Sequence, residues 1–239
     1  MSKKYVIKNI GKLYAARLLA DTETDATYEP TRYLEGLREI TVTPTSESGQ
    51  IYAEGTVWDT DSEPGVTEVS LDRTDMTAED EMFLLGKKRT TDGGVIGNRG
   101  DEAPYVALMY EKKLTNGVME YVTLFKGKFS KLEDKAKTRE GGVEYQTKTL
   151  VGQFIHNERG DMDHVVRSNS PGFDQSVHDG IWGEGNTITL PTVGLALYTD
   201  AQLREKSLVE LQSIATQLEI DTPETKTYEE LITTILGAQ

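Results

Sequence analysis

The densest run of chemistry-bearing side chains is His156-Asn157-Glu158-Arg159-Gly160-Asp161-Met162-Asp163-His164. Imidazole and carboxylate together are ligand types that zinc accepts. A metal-dependent enzyme built on His156, Asp161, Asp163 and His164 is therefore one reading of the chain. Helical ligand pairs sit at i and i+4, whereas these histidines lie eight positions apart across a turn-forming segment. A hairpin brings them together only if both face the same way. The competing reading, and the one favoured, is a polar turn flanked by surface histidines, which assigns no metal. His178 stands apart from both.

Other candidates carry less. Gly93-Gly94-Val95-Ile96-Gly97-Asn98-Arg99-Gly100 is glycine-rich, but no Lys-Ser/Thr follows its last glycine, so it is not a phosphate-cradling P-loop. It reads as a flexible loop, and the tripeptide Arg99-Gly100-Asp101 within it is short enough to arise by chance. No G-x-S-x-G nucleophile motif occurs. Carboxylates are abundant, but no spacing fixes two of them around a scissile bond. Cysteine is absent, which removes thiol catalysis, disulfides and Cys-ligated metal. No catalytic residue, cofactor site or metal site is assigned, and the chain is expected not to be an enzyme.

Composition narrows the class further. The chain has 239 residues, 26 Lys+Arg against 40 Asp+Glu, and a formal net charge of −14. Such an acidic balance opposes tight wrapping of nucleic acid, which needs cations to displace counterions. It leaves open a surface that DNA slides past without sticking. No apolar run is long enough for a membrane-spanning helix, and no membrane partner is expected. The N-terminal stretch is too interrupted by lysine for a signal peptide. Charge is uneven, because the first 20 residues carry Lys3, Lys4, Lys8, Lys12 and Arg17 and no acid. This basic arm is either a tether to another acidic copy or a solvated end.

The elements that position these residues read as mainly β. Arg38–Pro44 and Val66–Leu71 alternate, with Ile40 and Val42 on one face. Tyr105–Tyr110 and Tyr121–Phe125 are β-rich runs joined through Asn116-Gly117, a dipeptide suited to positive φ at both turn positions. Val143–Ile155 predicts a long strand with Val143, Tyr145, Thr147, Thr149, Val151, Gln153 and Ile155 on one face. Asn157–Asp163 is a turn, and Val165-Val166 begins a return strand. One short helix is expected, with its cap and acidic first turn in Asp75–Asp80, Met82–Leu85 as its apolar end and Gly86 as its stop. Residues 43–65 and 87–103 read as loops.

The C-terminal part changes character. Residues 169–198 read as a linker or arm, with prolines and glycines and little periodicity. Ser207-x-x-Glu210 and Thr227-x-x-Glu230 are capping boxes ahead of two amphipathic runs, with Pro223 between them. This helix–extended–helix pattern resembles SAP or HeH modules. Many SAP modules bind DNA through basic helices. Here, residues 199–239 hold the acids Asp200, Glu205, Glu210, Glu219, Asp221, Glu224, Glu229 and Glu230 against Arg204, Lys206 and Lys226, so the electrostatics oppose that role.

Across residues 5–160, ordered blocks resemble a family. Ile51–Thr56, the alternating Val66–Leu71 and the helix Thr77–Gly86 form the first. Ala103–Leu108, Asn116-Gly117, Tyr121–Ser130 and Glu144–Thr147 form the second. Together they are similar to the major tail proteins, or tail tube proteins, of siphophages infecting Gram-positive bacteria. The C-terminal module lies outside that family core. The resemblance implies a tail-tube β-sandwich or partly closed barrel with one flanking helix. It implies a homo-oligomer of hexameric rings stacked into a non-contractile tube around a tape-measure protein, joined to tail terminator and distal tail proteins. Viral DNA would pass through the lumen unbound. The location implied is the virion, with the host cytoplasm during assembly. The expected organisation is a β domain at 1–168 with its basic arm, a linker at 169–198, and the helical module at 199–239. The alternatives are a tube protein of a contractile injection particle, the metal enzyme above, and DNA binding by the C-terminal helices.

Overall fold

A computed structural model describes residues 5–53, 56–134, 147–192, 198, 200–218 and 220–238. Two compact units result: Met1–Val166 with Ser176–Leu190, and Arg167–Gln175 with Pro191–Gln239.

The first unit is one nine-stranded sheet that does not close, with a separate two-stranded ribbon. Its strands are β1 (Ile7–Asp21), β2 (Ala26–Tyr28), β3 (Arg32–Tyr33), β4 (Leu37–Ala53) and β5 (Thr56–Arg73). After helix α1 (Ala78–Leu85) come the short pair β6 (Lys88–Arg89) and β7 (Val95–Ile96). Then follow β8 (Val106–Leu114), β9 (Met119–Asp134), β10 (Lys148–Ile155), β11 (Asp163–Arg167) and helix α2 (Gln175–Ile181). The order across the sheet is β2-β1-β8-β9-β10-β5-β4, with β3 beside β1 and β11 beside β9.

Strand alternation gives this sheet two cores. Leu13 and Ala15 of β1 point to one face, while Tyr14 and Ala16 point to the other. The inner core gathers Leu13, Leu71, Leu108, Leu124, Phe129 and Phe154, so strands from opposite ends of the sheet meet across it. That curling makes a partly closed barrel, with Phe83 and Leu84 of α1 plugging it. The outer core holds Tyr28, Met109 and Phe125, covered by Ile181, Trp182 and Ile188. A bulge reconciles the faces of β9: Val106 pairs with Gly127, but Leu108 pairs with Leu124. The extra residue inverts the alternation, so Phe125 faces outward and Phe129 faces inward.

Local chemistry explains the ends. Thr77 caps α1, its hydroxyl accepting from the Asp80 N–H, and Gly86 stops it at φ 69°. Asn116 and Gly117 both take positive φ, 66° and 80°, in the turn between β8 and β9. Beneath α1, the buried Asp80 carboxylate accepts from Arg73 at 2.9 Å and meets Arg32 at 3.1 Å. Arg73 also donates to the Glu35 carbonyl. The helix is thereby fixed to the strands it covers.

Several expectations are modified. The N-terminal basic stretch is mostly strand from Ile7 onward, with Leu13, Ala15 and Ala16 wholly buried. Of residues 43–65, expected as a loop, 43–53 and 56–65 continue β4 and β5 as a paired ribbon. Lys87–Ala103 contains the small hairpin β6–β7. The long strand expected from Val143 appears as β10 from Lys148; positions 143–146 lie outside the described residues. Its core face is Leu150, Gly152 and Phe154. Within 169–198, α2 and Ile188 lie on the β unit because Ile181, Trp182 and Ile188 cover its outer core.

The second unit is helical: α3 (Asp200–Arg204), α4 (Leu208–Gln217), a 3₁₀ turn at Pro223–Thr225 and α5 (Tyr228–Ala238). Leu203, Leu211, Ala215, Leu231 and Ile235 form its own core. Ser207 and Glu210 make a reciprocal capping box on α4. The Thr227 hydroxyl and Glu230 carboxylate are paired likewise at the start of α5.

Candidate assembly surface

The strand pairing of β5 divides it in two. Thr67–Arg73 pair with β10 on one side and β4 on the other. Beyond Thr67, β4 and β5 pair only with each other among the described residues, out to Ala53 and Thr56. The ribbon at 45–65 thus runs past the body of the sheet. Pro44, which cannot donate to a ladder, sits at its base on an edge strand, where proline is tolerated. A lone two-stranded ribbon is marginally stable in water.

At the base of the ribbon lies a groove of about 530 Å³. Val42, Pro44 and Val165 form apolar walls, and Val122 and Leu124 lie beneath them. Val66 and Val165, on β5 and β11, are exposed nearby. One side is polar: Lys112 pairs with Glu120 at 3.2 Å, and Tyr110, His156 and Asp163 stand beside them. Burial, with Asp163 and Glu120 nearby, pushes the Tyr110 phenol up to about 12. It stays protonated and neutral at physiological pH.

The two histidines of the sequence motif do not converge. His156 lines the groove together with Asp163. His164 is the next residue on β11, and alternation turns it to the opposite face. There it lies near His178 of α2, whose ring stacks on Trp182 and packs against Tyr121. Burial holds both His164 and His178 below the usual imidazole range, partly opposed by Asp163 and Asp179 respectively. Asp161 instead closes the turn: its N–H donates to the Asn157 side chain at 2.7 Å, and its carboxylate pairs with Arg159. Among the described residues, no group of three His, Cys, Asp or Glu is placed to hold a metal ion.

The glycine-rich segment is occupied with itself. Asp92 accepts from the Gly94 N–H and from the Thr90 hydroxyl, and Asp101 accepts from the Asn98 N–H at 2.6 Å. A further ion cluster ties β1, β9 and the 157–161 turn, with Lys126 reaching Asp21 at 2.7 Å and Glu158 at 3.1 Å. Burial pulls the Lys126 ammonium down, but its bonds to the two carboxylates outweigh this and raise it. In the helical unit, Arg204 pairs with Asp200 and Glu229.

Sequence reasoning missed the groove and the ribbon. Its walls come from residues far apart in the chain, so no local motif marks them. The signal that was present is compositional: positions 45–65 hold Glu47, Glu54, Asp59, Asp61 and Glu63 and no Lys or Arg, interleaved with Ile51, Tyr52, Val57 and Trp58.

These features describe a mainly β structural subunit with an unclosed sheet and a projecting ribbon. The family model for phage tail tube protein matches residues 8–178, and the chain belongs to that family. The family is structural, not enzymatic, and its members are components of the virion tail. A chain of the cryo-EM structure of the anti-feeding prophage cap (AFP tube terminating cap) overlays with a TM-score of 0.41 at 9% identity. The overlay covers 70% of this chain and 94% of that one. A chain of the 6-fold symmetrised anti-feeding prophage (AFP) baseplate overlays at 0.41 and 11% identity, over 70% and 97%. No curated protein matches the chain significantly.

Proposed function

We propose that this protein is the major subunit of a long non-contractile siphophage tail tube, from a phage of Gram-positive bacteria. Copies form hexameric rings that stack around a tape-measure protein between tail terminator and distal tail proteins. Assembly takes place in the host cytoplasm, and the finished tube conducts DNA from the capsid. The observation that carries this reading beyond the family is the ribbon of β4 and β5 at 45–53 and 56–65, which has no third strand among the described residues. An element that is marginal alone is stabilised when a neighbouring copy covers it. Head-to-tail contacts of this kind are heterologous and propagate into open filaments. The net charge of −14 favours passage of DNA over binding. We also take 1–168 as the tube domain, 169–198 as a connecting segment and 199–239 as a SAP/HeH-like module on the outside of the tube. Negative-stain electron microscopy with light scattering on the concentrated protein tests the assignment. Rings or hollow tubes are expected. Monomer at every concentration, with tape-measure protein added, would refute it.

A further inference from the structure

The outer face of the sheet is covered by a separate piece of chain, Ser176–Leu190. Both of its ends run into residues of the helical unit, and it contains α2 but no strand. It therefore holds to the β unit by side-chain packing and a few hydrogen bonds. Ile181, Trp182, Ile188 and Leu190 lie on the aromatic face formed by Tyr14, Tyr28, Tyr33 and Phe125. Beyond α2 the segment is clipped to one residue, the buried Thr31 between β2 and β3. The Thr31 N–H donates to the Asn186 carbonyl at 2.8 Å, and the Gly185 N–H donates to the Thr31 carbonyl at 2.7 Å. The Asn186 N–H donates to the Thr31 hydroxyl at 3.1 Å, and that hydroxyl donates to the Gly183 carbonyl.

The α2 end of the segment is held by a buried histidine. The rings of His178, Trp182 and Tyr121 of β9 pack in a triangle, with centroids 3.7 Å apart for His178–Tyr121, 5.2 Å for His178–Trp182 and 5.0 Å for Tyr121–Trp182. Two charged or titratable neighbours act on the imidazole, His164 of β11 and Asp179 of α2. Asp163 of β11 acts on His164 in turn. Burial disfavours the imidazolium, and so does His164 once it is itself protonated. Asp179 favours it but stands exposed, where water screens it. Cation–π attraction to the two rings returns part of the lost hydration. Opening the segment to water returns all of it.

We propose that Ser176–Leu190 is a pH-operated latch: in mildly acidic surroundings His178 takes up a proton, the segment lifts from the sheet, and Tyr14, Tyr33, Tyr121 and Phe125 are bared while the sheet stays folded. The cause is linkage. The open segment binds the proton more tightly than the closed one, so falling pH draws the population toward the open form. Histidine is the side chain whose ordinary range makes this possible near neutrality. The sheet keeps its own ladders and an inner core to which the segment contributes nothing, so opening is local. The latch acts within one chain and does not depend on copies assembling. It gives the subunit an aromatic face that is available only in acid.

The chain has two tryptophans, Trp58 and Trp182, so Trp58→Phe leaves Trp182 as the sole reporter. Its emission wavelength and its quenching by acrylamide are followed in dilute full-length protein from about pH 8 to about pH 4.5, beside far-ultraviolet circular dichroism. A red shift and a rise of about twofold in quenching are expected, with a midpoint below about 6.5 and the strand signal unchanged. In the same background, His178→Phe keeps a ring against Tyr121 and Trp182 but takes up no proton, and the emission should hold its closed value throughout. His178→Gln gives the same comparison with a smaller neutral side chain. Thr31→Val removes the two hydroxyl bonds and keeps the two backbone ones, so the segment should open at higher pH. Emission that stays fixed until the strand signal itself is lost overturns the proposal. So does an acid transition that persists in both His178 variants, or a Thr31→Val midpoint equal to the parent's.

Discussion

Two glycines in the inner core make the packing account quantitative. Gly127 of β9 lies directly opposite Phe154 of β10, and Gly152 of β10 lies opposite Phe129 of β9. Each ring covers the glycine on the neighbouring strand, and the rings meet edge to face at 5.7 Å. A Cβ built on Gly127 would sit 2.3 Å from Phe154 Cγ, with two more ring atoms at 2.4 and 2.6 Å. Carbon–carbon contact needs roughly 3.5 Å, so the ring must retreat by about 1.2 Å. Phe129 and Phe154 are wholly buried, so little space exists for that retreat. Overpacking costs about 1–3 kcal/mol, and outright loss of a buried phenylalanine about 3–5 kcal/mol. Gly127→Ala should therefore cost about 3 kcal/mol, near the junction of the two ranges. For a domain of this size that lowers the melting temperature by roughly 6–12 °C. Circular dichroism melts of the full chain read it. Gly180→Ala is the control, because no atom lies within 4 Å of the added Cβ; it should not lower the melting temperature. Adding Phe154→Ala to Gly127→Ala should cost less than Phe154→Ala alone, since the clash is already gone. A Gly127→Ala protein melting with the parent, or strictly additive costs in the double variant, would refute the packing argument.

Asp80→Asn leaves Arg73 buried without its counter-charge, and breaking such a pair costs about 3–5 kcal/mol; the urea midpoint should fall accordingly. Acid should weaken the β unit through His164 and His178. Both are held below their unfolded value near 6.5 by burial. The unfolded chain takes up protons first as pH falls through about 6.5, so stability begins to be lost there and falls further as pH is lowered. His164→Asn should flatten that part of the urea-midpoint profile, and an unchanged slope would count against the burial of His164. Ser207→Ala removes the α4 cap and should cost about 1 kcal/mol in the helical unit, visible as earlier loss of helical signal in denaturant. Metal analysis of the purified protein should find no stoichiometric transition metal, with or without His156→Ala, because His156 and His164 face opposite sides of the sheet.

Legibility in the sequence followed the range of the determining interactions. The Asn116-Gly117 turn, the Gly86 stop and the boxes at Ser207 and Thr227 are local, and each was visible because a few adjacent residues decide it. Strand periodicity at Val66–Leu71 was likewise clear, since one face meets the inner core. The ribbon was not legible. Alternation of apolar residues marks a strand that faces a core, and residues 45–65 pair beyond the body of the sheet. In β10 the pattern itself misdirected. The odd positions form an unbroken β-prone run, whereas the core side, Leu150, Gly152 and Phe154, is interrupted by Gly152 because Phe129 of the next strand fills its space. Helix α2 escaped notice because its role depends on Ile181, Trp182 and Ile188 meeting Tyr14, Met109 and Phe125 from distant strands. The His156–His164 cluster was read mainly as a polar turn, with a metal site as the alternative. Its composition suggests chemistry, but the two-residue period of β11 separates the ligands.

The most direct test of the account is a helical reconstruction by cryo-electron microscopy of the polymer formed from the full chain. The account predicts stacked hexameric rings around an open lumen, with residues 45–65 of each copy covered by a neighbouring copy and the helical unit outside. A solid filament, a lumen filled by the helical unit, or ribbons left uncovered in the assembled particle would contradict it.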